Sequence, residues 1–299
     1  MIEAVALDDV HRITSGQVIT DVISVVKELV ENALDACSTQ VEVVFSEQGL
    51  VAVEVTDNGD GIAEVDFPNV CARHATSKLH SFDDLLKTST LGFRGEALSS
   101  LCATAEVSIT TNTNASIPRG HLLKFGKNGD LVSTEPVTAT KGTTVRVSNL
   151  FGRLPVRRKD FERNVKREYT KTVSLLTNYA IFYPTTRFTV YNLTEKKTGT
   201  RPGSSKRSLV LGTQGGQKGT IHKNMVSIFG SSGARGLVPV SLLTGDLGER
   251  FKKNFGNPPL KANFEGLISD CSFGLGRSAN DRQFYYINGR PVVTKLIAK

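Results

Sequence analysis

Cysteine is scarce in this 299-residue chain: Cys37, Cys71, Cys102 and Cys271 are scattered, with no CxxC pair and no His/Cys cluster. A disulfide framework and a zinc site therefore lack their signatures, and reduced thiols are expected. The five histidines, His11, His74, His80, His121 and His222, show no mutual metal-ligand spacing either. No apolar run approaches the roughly 20 residues a bilayer-spanning helix needs, and the first residues lack a basic-then-apolar secretory pattern. No internal repeat is visible, and GxxxxGK[ST] occurs nowhere, which removes the P-loop.

What is present reads as a globular chain. Hydrophobic residues make up 39% and charged residues 22%, and the length allows two ordinary domains. The net charge of +8 fits an acidic partner, although surplus lysine also serves solubility.

Apolar residues recur at Val18, Val22, Val25, Val26, Leu29, Ala33 and Leu34, which predicts a helix, with Thr14-Ser15-Gly16 able to cap it. Glu28, Asn32 and Asp35 share one face of that helix. A carboxylate there can take a proton from water, and a carboxamide oxygen can face a hard cation such as Mg²⁺. The same pattern also suits a solvated stripe. Strands are predicted at 41–45, 51–55, 106–111, 122–125 and 143–147, with a short helix near 82–86. A basic segment from Arg153 to Lys171 leads into a helix ending near Ile181, ahead of Pro184. Residues 194–220 read as a loop, as does a polar stretch around 245–259. Strands near 264–270 and 283–287 follow, and the last residues read as a helix cut short.

Three further motifs bear on chemistry. Asp57-Asn58-Gly59-Asp60-Gly61 ends a strand; an EF-hand register would put Thr56 first and Phe67 twelfth, so calcium is not expected. Asp57 can accept from an exocyclic amine while Gly59 and Gly61 admit a flat base, or the run is a plain hairpin turn. Gly92-Phe93-Arg94-Gly95-Glu96-Ala97 is a glycine loop opening a helix, a place where backbone N–H groups attract phosphate. It is not a dinucleotide GxGxxG. Lys141-Gly142-Thr143-Thr144-Val145 starts a strand.

That ordered set, ExxxN, DxGxG, GxxG and GTT, resembles the GHKL ATPases, which include gyrase B, Hsp90, histidine kinases and MutL. Gly92 through Leu98 is similar to the MutL lid, and Ala75-Thr76-Ser77-Lys78 to a stretch of that family. Val10 to Val18, Leu154-Pro155-Val156-Arg157-Arg158-Lys159 and Asp281 to Arg290 extend the likeness to the MutL family, in its eukaryotic post-meiotic-segregation branch. The resemblance implies an α+β protein: a Bergerat α/β sandwich over residues 1–200, then a ribosomal-S5-domain-2-like α/β domain over 201–299, truncated at its end. It implies ATP and Mg²⁺ as ligands. Glu28 becomes the general base and Asn32 the metal holder. Asp57 reads adenine, with Gly59, Gly61 and Thr143 around the base. Asp35, Thr76, Lys78 and the loop Leu91, Gly92, Phe93, Arg94, Gly95, Glu96, Ala97 and Leu98 complete the nucleotide site.

By the same resemblance, ATP orders the lid and drives N-terminal dimerisation into a clamp on DNA in mismatch repair. The implied partners are DNA, a second MutL-family subunit and MutS-type proteins, in the nucleus and away from membranes. A family lysine downstream of the Asn-Gly-Arg segment and the C-terminal half lie beyond Lys299, so no endonuclease activity is expected of this stretch. The alternative is a nucleotide-gated DNA-binding module with vestigial hydrolysis. Phosphoryl transfer to protein is less apt, because no acceptor histidine on a dimerisation helix is apparent.

The basic stretch is either a solvated helix face or a phosphate-tracking surface. Aromatic platforms are sparse near it, so contacts to the DNA backbone rather than to bases are expected. Arg157, Arg158, Lys159, Arg163, Lys166 and Arg167 are the candidates, with Arg277 and Arg290 added.

Overall fold

The computed structural model describes residues 14–76, 78, 90–92, 95–195, 205–243, 263–277 and 279–292. Helix α1 (Val22–Asp35) begins at a reciprocal cap: the Asp21 carboxylate accepts the Ser24 N–H at 2.8 Å, and Ser24 Oγ accepts the Asp21 N–H at 3.2 Å. The cap is thus not at Thr14-Ser15-Gly16, because residues 14–18 form a helical turn of their own. Along α1 the predicted apolar stripe is buried, including Val22, Val25, Val26 and Leu29. Each such side chain contributes roughly 1.5–3 kcal/mol when removed from water.

That stripe packs on a sheet. Strands β1 (Gln40–Ser46) and β2 (Ala52–Asp57) form an antiparallel hairpin with Val43 opposite Val55. The others are β3 (Glu106–Asn112), β4 (Arg119–Phe125), β5 (Leu131–Thr138), β6 (Gly142–Ser148), β7 (Arg187–Glu195) and β8 (Ser205–Gly212). Their order is β5-β4-β3-β6-β2-β1-β7-β8, eight strands in one sheet. Among the described residues only the β1–β7 pair is parallel, with Val43 beside Val190. Period-two alternation sends Val43, Phe45, Val55, Ile109 and Phe188 to one face. Helices α1, α2 (Ala97–Thr104) and α3 (Pro155–Phe182) cover it, and Tyr169 of α3 meets Phe45 edge to face at 5.1 Å. Away from that core lie ion pairs such as Arg207–Glu42 at 2.7 Å and Arg146–Glu54 at 3.2 Å. The result is a helix layer on a sheet layer.

The basic segment and the apolar segment after it merge into α3, a single helix of 28 residues with Pro155 in its first turn. Its C-terminal part buries Leu176, Tyr179 and Ala180 against α1 and the sheet.

The expected boundary at residue 200 requires correction. Strand β8 lies inside the segment read as loop, and it pairs with β7, Leu211 opposite Val190. The first unit therefore extends at least to Gly212. Lys206 and Arg207 hid this strand, since a sheet edge tolerates and even favours such charge. Beyond it, Thr220 caps α4 (Ile221–Gly233), its Oγ1 accepting the Lys223 N–H at 3.2 Å. Two antiparallel pairs follow among the described residues: β9 (Leu237–Leu243) with β10 (Asn263–Ser269), and the hairpin of β11 (Tyr285–Ile287) with β12 (Arg290–Val292). Ile181, Met225 and Ala234 form a second, smaller core that Phe284 packs against. The helix expected near 82–86, the loop near 245–259 and the terminal residues lie outside the described residues.

Candidate nucleotide site

The last turn of α1 is the centre of the site. Lys78 donates to the Asn32 carboxamide oxygen at 2.8 Å and to Asp35 Oδ2 at 2.6 Å. Asp35 also accepts the backbone N–H of Leu91 at 2.8 Å and of Gly92 at 2.9 Å. One nearly buried carboxylate thus ties the glycine loop and Lys78 to the helix. At Gly92 an added Cβ would stand 3.0 Å from Lys78 Nζ and 3.4 Å from Asn32 Oδ1, so any side chain there would press on both.

The second glycine of the loop is held differently. Gly95 has φ +61°, and a Cβ there would stand 2.4 Å from the Ala75 carbonyl oxygen. His74 donates its N–H to the Gly95 carbonyl at 3.1 Å, and the His74 ring approaches Glu96 at 3.3 Å. Thr76 Oγ1 accepts the Lys78 N–H at 3.1 Å. The stretch around Thr76 and Lys78 is therefore packed on the glycine loop, and Ala97 and Leu98 open α2 directly after it. Phe93 and Arg94 lie outside the described residues.

Asp57 reaches the same corner from the end of β2. Its turn docks under the end of α1, where Asp60 donates its N–H to the Ala36 carbonyl at 3.1 Å. Asp57 Oδ1 accepts the Gly59 N–H at 2.8 Å. Burial raises the Asp57 pKa from 3.8 to about 6; the N–H groups of Gly59 and Thr143 oppose that rise, and Asp60 adds to it. Gly61, at φ +74°, lets the turn pass the Asn112 carbonyl, from which a Cβ would be only 2.2 Å away. Thr143 shares a hydrogen bond between hydroxyls with Thr111 at 3.1 Å, and Thr111 in turn accepts the Ile62 N–H at 2.9 Å. Turn, β3 and β6 are stitched together there.

Glu28 stands one turn before Asn32, its side chain 29% exposed and so within reach of water. Lys27 approaches it at 3.3 Å and pairs with Glu31 at 2.8 Å. Glu31 is buried, and Tyr179 of α3 donates its hydroxyl to it at 2.5 Å. Burial, then the Glu31 charge, pushes the Tyr179 hydroxyl far above the usual phenol range. The role of Glu31 was not legible in the sequence; its i,i+4 spacing from Lys27 is a common surface pattern, and only the fold brings Tyr179 to it.

The basic candidates divide. Lys159, Arg163, Lys166 and Arg167 are exposed along α3. Arg157, Arg277 and Arg290 are exposed too, but their guanidiniums, like that of half-buried Arg158, are engaged by groups of the chain itself. Arg157 donates to the Gly16 carbonyl at 2.8 Å, and Arg158 to the Leu150 carbonyl at 3.0 Å and to Glu162 at 2.8 Å. Arg277 grips Asp281 with two hydrogen bonds of 2.7 and 2.6 Å. Arg290 donates to the carbonyls of Thr90 and Leu91 at 3.0 and 2.8 Å. These four do not join the α3 face.

A helix offering a carboxylate, a carboxamide and a second carboxylate beside a glycine loop defines a nucleotide-binding fold of the GHKL type. Residues 20–128 match the family described as histidine kinase-, DNA gyrase B- and HSP90-like ATPase. The chain is 42% identical over 300 residues to the DNA mismatch repair protein PMS1 of Saccharomyces cerevisiae, covering 97% of this chain and 33% of that protein. A crystal structure of the N-terminal domain of a DNA repair protein superposes with TM-score 0.78 at 42% identity, covering 96% of this chain and 78% of that one. The ATPase domain of Aquifex aeolicus MutL complexed with ADP shares the fold, with TM-score 0.58 at 22% identity, covering 92% of this chain and 84% of that one. The chain belongs to the MutL family of DNA mismatch repair proteins. It spans about a third of the length of the curated relatives it matches.

Proposed function

We propose that this region binds ATP with Mg²⁺ and hydrolyses it slowly, as the nucleotide switch of a mismatch repair protein. The single observation that carries the reading is the meeting of Lys78 with Asn32 and Asp35, one helical turn from Glu28, where Asp35 also accepts the N–H groups of Leu91 and Gly92. The structurally similar MutL ATPase domain was obtained with ADP. Glu28 is the proposed general base: it is solvent-reachable, with the Lys27 ammonium 3.3 Å away. Asp57, with Gly59, Gly61 and Thr143 around it, is the proposed acceptor for the adenine amine. Lys78, Thr76 and the loop from Leu91 to Leu98 are the proposed phosphate partners.

The residues fit a Mg²⁺ ion. The Asn32 oxygen already faces a cation, the Lys78 ammonium, and a hard ion prefers such oxygen donors. Asn32 would hold the metal, which would neutralise phosphate charge when bound. Asp35 acts on the loop instead, since its oxygens are taken by backbone N–H groups and Lys78.

For the whole protein we propose a clamp on DNA: nucleotide orders the loop, the N-terminal regions of two MutL-family subunits pair, and hydrolysis resets them. Exposed Lys159, Arg163, Lys166 and Arg167 are the proposed backbone contacts, the region beyond Gly212 the S5-like unit, and the nucleus the site of action with MutS-type partners. Isothermal titration of ATP with and without Mg²⁺, run beside single-turnover hydrolysis, tests the core of this. Glu28→Ala should retain binding and lose turnover by about 10²–10⁴-fold. Asn32→Ala should lose the Mg²⁺-dependent part of binding. Equal turnover in wild type and Glu28→Ala would remove Glu28 from the chemistry.

A further inference from the structure

Arg290 sits far along the chain from the nucleotide site, on the short hairpin β11–β12, yet its guanidinium reaches the start of the glycine loop. One nitrogen, Nη2, donates to both the Thr90 carbonyl at 3.0 Å and the Leu91 carbonyl at 2.8 Å. The same two peptide groups face the other way as donors: Leu91 and Gly92 give their N–H groups to Asp35. The loop base is therefore gripped on its oxygen side by Arg290 and on its nitrogen side by α1.

The hairpin that delivers Arg290 is itself fixed. Asn288 and Gly289 both have positive φ, at 49° and 80°, as a tight two-residue hairpin turn requires. Tyr183 donates its hydroxyl to the Gly289 carbonyl at 3.2 Å. Tyr286 donates to the Asn178 carbonyl at 2.8 Å, and its ring lies 4.5 Å from that of Phe182. Both anchors belong to the C-terminal end of α3, which also carries Tyr179 to Glu31. The hairpin, α3, α1 and the loop base thus form one connected polar chain.

We infer that Arg290 is a positioning residue of the nucleotide site, a clamp that holds the Thr90–Gly92 backbone on Asp35. It thereby links the unit beyond Gly212 to nucleotide affinity. Coupling of this kind is reciprocal: whatever pulls the β11–β12 hairpin away loosens the loop, and nucleotide held by the loop favours the docked hairpin. The link to nucleotide rests on the function proposed above; the clamp itself does not.

Amide hydrogen exchange read by NMR on this chain tests the clamp without any ligand. In Arg290→Gln the amides of Leu91 and Gly92 should exchange about tenfold faster or more, while the sheet amides of Val43 and Val55 hold their rates. Arg290→Lys, which keeps the charge but loses the planar fork, should fall between wild type and Gln. If the Gln variant loosens the whole sheet, the Lys variant decides by the same two amides. ATP affinity should weaken about 5–20-fold in Arg290→Gln, within the usual range of coupling between sites, with kcat little changed. Unchanged exchange at Leu91 and Gly92 in a folded variant overturns the clamp. So does a variant whose only defect is a DNA salt dependence flatter by about one unit, which would make Arg290 a phosphate contact. Faster exchange in a protein that binds no ATP in any form supports the clamp and removes the nucleotide reading instead.

Discussion

The Lys78 ammonium stands 2.6 Å from the Asp35 carboxylate, both side chains largely withdrawn from water. Pairing at that depth gives Asp35 its counter-charge, and Asp35 in turn fixes two backbone N–H groups of the glycine loop. Lys78→Ala should accordingly do more than remove a charge near nucleotide. It leaves a buried carboxylate supported only by backbone, and a loss of about 1–3 kcal/mol is expected from that. Urea unfolding of the chain measures it; a loss under about 0.5 kcal/mol, the scale of an exposed pair, would show that Asp35 does not need Lys78.

Asp57 gives a pH dependence with a definite sign. Its folded pKa, about 6, lies above the ordinary 3.8, so the folded state holds the proton more tightly than the unfolded chain. Its contribution to stability is therefore present at low pH and is lost as pH rises from about 4 to about 6. An adenine amine, by contrast, is held more strongly by the ionised carboxylate than by the protonated one. ATP affinity should rise between pH 5 and 7 in the wild type. Asp57→Asn should flatten that profile and bind ATP weakly at every pH, while remaining at least as stable as the wild type at pH 8. An affinity profile unchanged by Asp57→Asn would take this residue out of base recognition.

Gly61 offers a test of the turn rather than of the charge. With φ at +74° and a Cβ 2.2 Å from the Asn112 carbonyl, alanine cannot be fitted without moving backbone. Gly61→Ala should cost about 2 kcal/mol or more and weaken ATP binding alongside. Gly216→Ala is the comparison: its φ is +91° but its Cβ meets nothing within 4 Å, so only the conformational penalty applies. Equal destabilisation in the two would show that the close approach to Asn112 relaxes easily.

On α3 the difference between Arg163, on the exposed basic face, and Arg157, whose guanidinium holds a backbone carbonyl, predicts two kinds of variant. Arg163→Ala should lower DNA affinity and reduce the slope of log affinity against log salt by about one. Arg157→Ala should leave that slope alone and lower the melting temperature, because its guanidinium ties α3 to the Gly16 carbonyl. Reversed outcomes would place the DNA surface on the other side of the helix.

How far the sequence foretold this arrangement depends on the residue. The apolar spacing from Val22 to Leu34 and the alternation in β1 and β2 reveal those elements because each buries one face against the core. Strand β8 escaped because its edge position lets lysine and arginine stand where a central strand would show valine. The meeting of Lys78 with Asn32, and of Arg290 with Leu91, was also beyond reach, for these pairs are 46 and 199 residues apart. Arginine is the hardest case. A guanidinium looks the same in sequence whether it meets solvent, a carboxylate or a peptide carbonyl, and only the fold separates Arg163 from Arg157.

The parallel pairing of β1 with β7 sets the order in which this architecture can mature. Strand β1 leaves the ribosome before its partner on that side, which follows 147 residues later, after α3 (Gln40 beside Arg187). Strand β6, emerging from residue 142, is likewise the wedge between β2 and β3. Until both arrive, the nascent sheet keeps a raw edge and an open seam. Long-range pairings of this kind slow folding and expose the chain to aggregation. Recombinant pieces cut to residues 20–128, the span of the family match, should collapse without acquiring cooperative unfolding, whereas pieces reaching beyond Gly212 should melt as a unit.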